Sequence, residues 1–251
     1  MGILEGKRAI VTGAGQGVGR GIALAFASEG CAIAAAGRTE SKLHDVVKEI
    51  ETRGARGIPV VCDVGDAEQI EHCVQVTVEQ LGGIDILVNN AQQVPLGRLL
   101  DVSDKAFRIG FDTGPLATLR FMRACHPHLM GGGVIVNLGT GAALRPDPVG
   151  YGAYTAVKEA TRSLTRAAAV EWGPDGIRVN AVIPLATSPG LEGWIKARPE
   201  ESKAFLATVP LGRAGDCERD IGRAVVALVG PDGGYITGST LTLDGGQAYL
   251  R

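Results

Sequence analysis

Short apolar runs alternate with longer amphipathic segments along the whole chain, and this alternation limits the possible folds more than any other feature of the sequence. The apolar runs are rich in Val, Ile and Ala and have the length of buried strands, whereas the segments between them repeat apolar residues at helical spacing. Strands that alternate with helices pair in parallel through right-handed crossovers. The pattern therefore predicts an α/β fold with a doubly wound, seven-stranded, mainly parallel sheet flanked by helices.

The predicted elements follow one another without a linker or an internal repeat, so we expect a single domain over residues 1–251. The strands are predicted at residues 8–12, 32–36, 58–62, 84–88, 134–138, 177–183 and 236–243. The helices are predicted at residues 17–29, 40–53, 67–81, 103–130, 151–172 and 220–229. Residues 185–213 are the least regular part because they are rich in Pro and Gly, and they are either a packed pair of surface helices or a substrate lid.

The charge and the cysteines argue against several classes of function. A net charge of −2 without a Lys/Arg run gives no footprint for nucleic acid or an anionic membrane, so a small molecule is the expected partner. The cysteines are odd in number and contain no C-x-x-C pair, which speaks against a disulfide framework and a zinc site. The histidines form no metal-ligand pattern either, and no metal is expected. Reduced cysteines and an N-terminus without a signal-peptide pattern predict a cytoplasmic protein.

A glycine-rich turn, Gly13-Ala14-Gly15-Gln16-Gly17-Val18-Gly19, follows the first predicted strand and opens the first predicted helix. In this position, main-chain N–H groups and the positive end of the helix are available to a diphosphate, and glycines let it approach the backbone closely. No Gly-Lys-Ser/Thr follows, so the turn is not a P-loop. The turn predicts a dinucleotide site, and a purely structural strand–helix turn is the alternative.

Three motifs together are more specific than the turn alone. The G-x-x-x-G-x-G spacing after Thr12, the run Asn89-Asn90-Ala91 and the pair Tyr154-x-x-x-Lys158 occur in this order, and in this combination the chain resembles the short-chain dehydrogenase/reductase family. The resemblance covers essentially the whole chain through further runs, which are Cys62-Asp63-Val64, Arg178-Val179-Asn180-Ala181-Val182 and Leu243-Asp244-Gly245-Gly246. It implies a Rossmann-type fold, an NAD(P)-dependent oxidoreductase, and a homotetramer or dimer assembled through the helices at 103–130 and 151–172.

The resemblance also assigns the cofactor-binding residues. It places Gly13, Gly15, Gln16 and Val18 at the diphosphate, Asp63 and Val64 at the adenine, Asn90 and Ala91 along the ribose, and Pro184 and Thr187 beside the nicotinamide. Two of these assignments have simpler alternatives. Asp63 would serve equally as a cap for the helix that begins near Asp66, and Asn90 as a partner for main-chain groups where its strand ends.

The end of the second predicted strand bears on the choice of cofactor. A carboxylate there would accept hydrogen bonds from the ribose hydroxyls of NAD and repel a 2′-phosphate. The sequence has Gly37-Arg38-Thr39 instead, and the Arg38 guanidinium suits a phosphate. NADP is therefore favoured. NAD stays the alternative, because Gln16 stands where NADP-preferring relatives often carry a second basic residue.

Tyr154 and Lys158 are the predicted reacting groups. Hydride transfer to a carbonyl requires an acid that protonates the developing alkoxide, and a tyrosine with its ordinary pKa of about 10 is poorly matched to neutral pH. Residues four apart share one face of a helix, so Lys158 is placed to stabilise the phenolate and to bind the nicotinamide ribose. The resemblance adds Thr140 as the hydroxyl that hydrogen-bonds the reacting oxygen, at a position where the family has Ser.

Three positions depart from the family pattern. Gly114-Pro115 replaces an Asn that in the family holds a water next to the lysine, and Pro115 cannot donate a main-chain hydrogen bond, so we expect a kink there. Gln92 stands where the family has Gly, so its side chain must fit where the backbone passes the cofactor, or reach the substrate. Leu185 replaces another usual Gly.

We therefore predict an NADP(H)-dependent oxidoreductase that transfers hydride between the nicotinamide and a ketone or secondary alcohol. The substrate is expected to be hydrophobic, because the side chains expected around it are mostly apolar: Leu144, Pro146, Val149, Tyr151, Leu191, Trp194, Ile195 and Phe205. Two alternatives stay open, namely a catalytically weak nicotinamide-binding protein that acts as a redox sensor or assembly partner, and a methyltransferase on a similar fold. Reaction direction and stereochemistry do not follow from these residues.

Overall fold

Seven parallel strands form the centre of the described part of the chain, in the spatial order β3-β2-β1-β4-β5-β6-β7. The structure is a computed structural model, and it describes residues 2–145 and 150–248. The strands are β1 (Arg8–Thr12), β2 (Ala32–Gly37), β3 (Gly57–Val61), β4 (Ile86–Asn89), β5 (Val134–Leu138), β6 (Arg178–Pro184) and β7 (Thr240–Leu243). The predicted α/β fold with a doubly wound parallel sheet is confirmed.

Helices connect the strands and cover the sheet. They are α1 (Gly17–Ala27), α2 (Glu40–Thr52), α3 (Ala67–Leu81), α4 (Asp104–Phe111), α5 (Ala117–Leu129), α6 (Gly152–Glu171), α7 (Pro189–Ala197), α8 (Pro199–Leu206) and α9 (Arg223–Val229). Asp66 caps the start of α3 and Ser103 the start of α4, each by accepting main-chain hydrogen bonds on its side chain. Within residues 2–145 and 150–248, none of the helices is both long enough and apolar enough to cross a bilayer.

The central strands are buried on both faces, which explains their nearly continuous apolar sequences. Along β1, Ala9 and Val11 belong to one apolar layer and Ile10 to the other, because successive side chains of a strand point to opposite faces. Helices α1, α2 and α9 pack in the first layer, and α3, α5 and α6 in the second. The sheet is thus covered on both sides, as the alternating sequence predicts.

A buried polar bridge links two of the strands to a helix. Asn89 Nδ2 at the end of β4 donates to Asn137 Oδ1 in β5 over 2.9 Å, and Asn137 Nδ2 donates to Thr165 Oγ1 in α6 over the same distance. Asn137 and Thr165 are 0% exposed. Buried amides are costly unless they are paired, so this bridge fixes the register of β4, β5 and α6.

Three predicted elements differ from the observed ones by more than small shifts of their ends. The helix predicted at 220–229 begins later, as α9 at Arg223–Val229, and a π-helical turn at Cys217–Gly222 precedes it. The helix predicted at 103–130 is divided into α4 and α5 by a π-helical turn at Asp112–Leu116. Pro115 lies within that turn and has no main-chain N–H, so the wider turn accommodates the missing donor without ending the helix. The strand predicted at 236–243 is shorter than expected because Gly238, just before β7, has a left-handed φ of +68°.

The irregular segment 185–213 contains the helix pair α7 and α8. The rings of Trp194 and Phe205 join the two helices edge to face, with centroids 5.4 Å apart. Ser188 caps α7 by accepting a main-chain hydrogen bond from Leu191, and Pro189 occupies the first helical position. The packed helix pair is therefore confirmed, whereas its action as a lid stays a prediction.

Candidate active site

A cleft of about 450 Å³ opens at the carboxyl ends of β1 and β4. The strand order reverses between these neighbours, so the chain leaves them in opposite directions and a crevice remains between the two connections. Its walls include these predicted cofactor residues: Gly13, Gly15, Gln16, Arg38, Thr39, Asp63, Val64, Asn90 and Ala91. Motifs that are far apart in the sequence therefore form one continuous surface.

The Thr12 hydroxyl joins the ends of β1 and β4. Its Oγ1 donates to the Val88 carbonyl over 3.2 Å and accepts hydrogen bonds from the main-chain N–H groups of Asn90 and Ala91, at 2.9 and 3.0 Å. The Asn90 side chain donates to the Thr12 carbonyl over 2.8 Å and to the Gly13 carbonyl over 3.4 Å. Asn90 thus binds main-chain groups at the end of its strand, which was the simpler alternative to cofactor binding. It also lines the cleft.

The start of α1 offers donors to an anion. Gln16 is the residue that precedes the helix, but its side chain accepts no main-chain hydrogen bond, and the first turn contains no acidic residue. The first main-chain N–H groups and the positive end of the helix therefore fit a diphosphate. Val18 does not line the cleft, because its side chain packs against the core.

The turn also needs its glycines for internal packing. A Cβ on Gly19 would lie 2.4 Å from the Gly13 carbonyl oxygen, and a Cβ on Gly13 would lie 2.6 Å from Asn90 Nδ2. Gly13 has in addition a left-handed φ of +67°. Glycine in this turn is therefore required by the protein itself, beyond the close approach of a nucleotide.

Two cations stand at the end of β2. Arg38 and Lys42 line the cleft together with Thr39, and both cations are exposed. Lys42 Nζ donates to Gln16 Oε1 over 2.5 Å, so the two residues bridge α2 and the glycine-rich turn. The sequence reasoning missed Lys42, although its place in the first turn of a helix that starts at the end of β2 was a signal.

At the neighbouring strand end, Asp63 and Val64 follow β3 and line the cleft. Asp63 Oδ1 accepts a hydrogen bond from the Gly65 N–H over 2.9 Å, while Asp66 caps α3. The alternative that Asp63 is merely a helix cap is therefore wrong. Its location fits the adenine end of a nucleotide, which the resemblance implies.

Tyr154, Lys158 and Thr140 lie together beside the cleft but are not part of its lining. Tyr154 and Lys158 are in the first half of α6, and Lys158 Nζ lies 5.9 Å from the centroid of the Tyr154 ring. Lys158 is 5% exposed, and its Nζ donates to the Leu138 carbonyl over 2.6 Å. Thr140 follows β5 and its hydroxyl is within hydrogen-bond reach of the Tyr154 hydroxyl. The structure thus brings the three predicted reacting residues together.

Burial shifts the pKa values of both predicted reacting groups. Removal from water lowers the pKa of Lys158 to about 7, because the charged ammonium loses solvation. Burial also raises the pKa of Tyr154, and the hydrogen bond with Thr140 partly opposes that rise. The direction for Tyr154 is opposite to that expected from a neighbouring lysine. The reason is that desolvation disfavours both charged forms.

Gln92 extends a buried carboxamide toward the π-helical turn. A Cβ on Gly114 would lie 3.1 Å from Gln92 Nε2 and 2.6 Å from Val157 Cγ1, so the amide fills space that a side chain at position 114 would need. Among the residues that the structure describes, neither Nε2 nor Oε1 of Gln92 has a hydrogen-bond partner. An unpaired buried amide is costly, which makes it a candidate to bind water or a ligand at the cleft that Gln92 lines.

At the nicotinamide end, the segment after β6 differs from the prediction. Pro184 ends β6, and Thr187 is exposed and donates its N–H to the Gly215 carbonyl over 2.8 Å. Neither residue lines the cleft, whereas the next three residues, Ser188, Pro189 and Gly190, do. The sequence reasoning missed these three, for which the Ser-Pro helix start at 188–189 was a signal.

The side chains expected around a substrate are half-buried where the structure describes them: Leu144, Tyr151, Leu191, Trp194, Ile195 and Phe205. Pro146 and Val149 lie outside the described residues. The rings of Tyr151 and Tyr154 have centroids 6.2 Å apart, so Tyr151 lies next to the predicted reacting tyrosine. In the part of the chain that the structure describes, no three His, Cys, Asp or Glu side chains come together to hold a metal ion.

Comparison with protein families and curated proteins shows similarity over nearly the whole chain. The family model described as enoyl-(acyl carrier protein) reductase matches residues 13–248. A 12alpha-hydroxysteroid dehydrogenase from a Clostridium species is 42% identical over 98% of this chain and 98% of its own. The L-xylulose reductase of Homo sapiens is 35% identical over 97% of each chain.

Solved structures give the same result. A short chain dehydrogenase from Burkholderia cenocepacia in complex with NADP superposes with a TM-score of 0.90 at 32% identity, and covers 97% of this chain and 98% of its own. A blue fluorescent protein from a metagenomic library in complex with NADPH superposes with a TM-score of 0.89 at 33% identity, and covers 98% and 99%. The similarity to solved structures therefore extends over nearly the whole fold.

Proposed function

The chain belongs to the short-chain dehydrogenase/reductase family and is an oxidoreductase, and we propose that it transfers hydride between NADP(H) and a hydrophobic ketone or secondary alcohol. The main support for the proposal is that Tyr154, Lys158 and Thr140 lie close together beside a cleft whose lining suits a dinucleotide. The uncapped start of α1 suits the diphosphate. Arg38 at the end of β2 favours NADP over NAD.

Each reacting side chain has a distinct task in this proposal. A bound nicotinamide supplies the hydride for reduction of a ketone, or accepts it in the reverse reaction. Tyr154 donates its hydroxyl proton to the oxygen that becomes the alcohol, and takes that proton back in the oxidation direction. Thr140 donates a hydrogen bond to the same oxygen. Lys158 has its amino group near the ring of Tyr154, supplies positive charge there when it is protonated, and is placed to orient the nicotinamide ribose.

The substrate is proposed to be large, hydrophobic and cyclic. The half-buried Tyr151 next to Tyr154, and the Trp194–Phe205 pair of α7 and α8, supply apolar surface on the substrate side. The hydroxysteroid dehydrogenase relative acts on a compound of that class by its name, whereas the L-xylulose reductases act on a polar sugar. We propose residues 185–213 as the substrate lid, because Ser188, Pro189 and Gly190 already form one wall of the cleft.

The functional unit is proposed to be a homo-oligomer, a tetramer or a dimer, formed through the helices between residues 103 and 130 and through α6. Apolar side chains on these helices face solvent in the single chain, and Val170 of α6 is 79% exposed. Such surface is typical of subunit contacts. Light scattering gives the mass directly, and a monomer at micromolar concentration would contradict this part of the proposal.

The decisive experiment measures binding and turnover separately. The purified protein is titrated with NADPH and NADH by fluorescence, and the tighter cofactor is then tested with hydroxysteroids, other cyclic ketones and alcohols, and a ketose. We expect turnover of a hydrophobic substrate and its loss by about 10²- to 10⁴-fold in Tyr154→Phe. Tight binding without turnover of any substrate would support a redox sensor, and failure to bind either nucleotide would overturn the proposal.

A further inference from the structure

Two basic residues converge on one end of the cleft without a carboxylate partner. In the described ranges, neither Arg38 nor Lys42 has an acidic side chain within 4.0 Å. Other cations of α1, of α2 and at the C-terminal end of α2 are paired with carboxylates: Arg20 with Glu49, Lys48 with Asp45, and Arg53 with Glu218. Unneutralised charge is thus concentrated where the cleft meets the end of β2, which favours an anionic ligand there.

Lys42 is held in place by two contacts with the glycine-rich turn. Its ammonium donates to Gln16 Oε1, and its aliphatic stem lies on the backbone of Gly15, where a Cβ would be 3.1 Å from Lys42 Cβ. Gln16 and Lys42 are 26 residues apart in sequence, so this geometry is a product of the fold. The turn itself has no basic residue, and the contact brings one to it from α2.

We propose that Lys42, positioned by Gln16, is the second cation that binds the 2′-phosphate of NADP(H) together with Arg38. The inference rests on the proposed function and extends it to a residue that determines cofactor specificity. A phosphate monoester carries a charge between −1.5 and −2 at neutral pH, roughly, and three acceptor oxygens, so one guanidinium leaves it incompletely matched. Arg38 suits a bidentate contact, and the ammonium of Lys42 adds a point charge with several donors.

The diphosphate is a less suitable ligand for Lys42 than the 2′-phosphate. Main-chain N–H groups at the start of α1 already suit the diphosphate, and no acidic residue in that turn opposes it. Lys42 shares its wall of the cleft with Gly37, Arg38 and Thr39, where the second strand ends. That strand end is where the adenosine ribose of a dinucleotide is recognised.

The test compares Lys42→Met with Lys48→Met in the full-length protein. Methionine keeps an aliphatic stem over Gly15 and removes the charge, and Lys48 is a lysine of the same helix paired with Asp45 outside the cleft. We expect Lys42→Met to weaken binding of NADPH and of adenosine 2′,5′-bisphosphate by roughly tenfold, with NADH and AMP changed less than about twofold. Lys48→Met should bind all four compounds like the wild type.

Other outcomes separate this inference from the proposed function. If the wild type prefers NADPH and Lys42→Met binds NADPH as tightly as the wild type does, Lys42 is a surface residue without a role in binding. The inference then fails, while the proposed function stands. Equal losses for NADPH and NADH would assign Lys42 to the diphosphate and also overturn the inference. A wild-type protein that binds neither nucleotide, or prefers NADH, removes the proposed function and the inference together.

Gln16 is tested as a positioning residue by a double-mutant cycle. Gln16→Met should lower the preference for NADPH over NADH in the wild-type background and leave that preference unchanged in Lys42→Met, because its effect on the preference acts through Lys42. A direct contact of Gln16 with the diphosphate would change the binding of both nucleotides equally. Gln16→Lys in the Lys42→Met background should restore part of the NADPH preference, since it returns a cation to the same place. An equal effect of Gln16→Met in both backgrounds, without rescue by Gln16→Lys, would contradict the positioning role.

Discussion

The carboxamide of Gln92 lies against the bare Cα of Gly114, so that a Cβ at position 114 would come within 3.1 Å of Gln92 Nε2. Gln92 and Gly114, two of the three departures from the family pattern, are therefore in contact. The amide of Gln92 projects from the loop after β4 toward position 114, which has no side chain. The same Cβ would also lie 2.6 Å from Val157 Cγ1. Position 114 is thus closed from two sides.

Gly114→Ala is expected to lower the free energy of unfolding by about 1 to 3 kcal/mol, because an added methyl group overpacks a filled site. Gln92→Gly should relieve part of that loss by removing one of the two obstructing groups, so the double variant should be more stable than the sum of the single effects predicts. Urea denaturation of the four proteins measures this coupling. Strictly additive effects would show that the two residues do not share the space.

The lowered pKa of Lys158 predicts a pH-dependent stability. The pKa is about 7 in the folded protein and about 10.5 when the lysine is exposed, so between these values the unfolded chain binds more protons than the folded one. Stability contributed by this group therefore rises with pH across that window, by at most about 1.4 kcal/mol per pH unit. Below pH 7 the contribution is constant and unfavourable.

Lys158→Met isolates this contribution because it shares all other titrating side chains with the wild type. The variant should be the more stable protein at pH 7, and its advantage should shrink as the pH increases to 10. Urea denaturation midpoints of both proteins, measured at pH 6, 7, 8, 9 and 10, show how the difference in stability between them changes. A difference that does not change between pH 7 and 10 would mean that Lys158 stays charged in the folded protein.

The raised pKa of Tyr154 predicts different pH profiles for the two directions of the proposed reaction. Reduction requires the protonated hydroxyl, so kcat/KM for reduction should be flat from pH 7 to 9. Oxidation requires the phenolate, whose fraction increases about tenfold per pH unit below the pKa, so kcat/KM for oxidation should rise across that range. Steady-state assays in both directions measure the profiles. A flat oxidation profile would place the pKa of Tyr154 below 7.

Thr12→Val should destabilise the fold and the cleft together. The buried hydroxyl serves the Val88 carbonyl and two main-chain N–H groups, so its removal leaves buried polar groups unpaired at a cost of roughly 1 to 3 kcal/mol. Thr12→Ser keeps the hydroxyl and should retain nucleotide affinity. Thr77→Val is a matched control, because the buried Thr77 hydroxyl bonds a single carbonyl within α3. Equal losses of stability and of nucleotide affinity in Thr12→Val and Thr77→Val would contradict the role of Thr12 in joining β1 and β4 at the cleft.

The fold was predictable because its signals are local. The buried strands have continuous apolar sequences, and the turn at 13–19 combines several glycines between a strand and a helix. The response of the chain to Pro115 was less predictable. The missing donor is visible in the sequence, but whether a helix kinks or widens into a π-helical turn depends on how its neighbours pack.

The site was predictable where motifs fix the backbone and less so where side chains meet across elements. Asp63, Asn90 and the turn glycines lie at the ends of strands, so the order of the sheet alone brings them together. The contact of Lys42 with Gln16 depends instead on the approach of α2 to the turn. After β6, the path of the chain puts Ser188 rather than Thr187 in the cleft. The Ser-Pro start of α7 is visible in the sequence, but the direction in which the chain reaches it depends on tertiary packing.

The buried bridge of Asn89, Asn137 and Thr165 has a consequence for how this fold is adapted. It connects the strand that precedes the cofactor loop to the helix that carries Tyr154 and Lys158, so sliding the helix by one residue, about 1.5 Å, would break a paired amide in the interior. In the proposed reaction, the alignment of cofactor and acid would therefore be set inside the protein, whereas α7 and α8 belong to the proposed substrate lid. Residues 191–206 lie outside the lining of the cofactor cleft, so we expect them to tolerate exchange for a new substrate without a change in the geometry of hydride transfer.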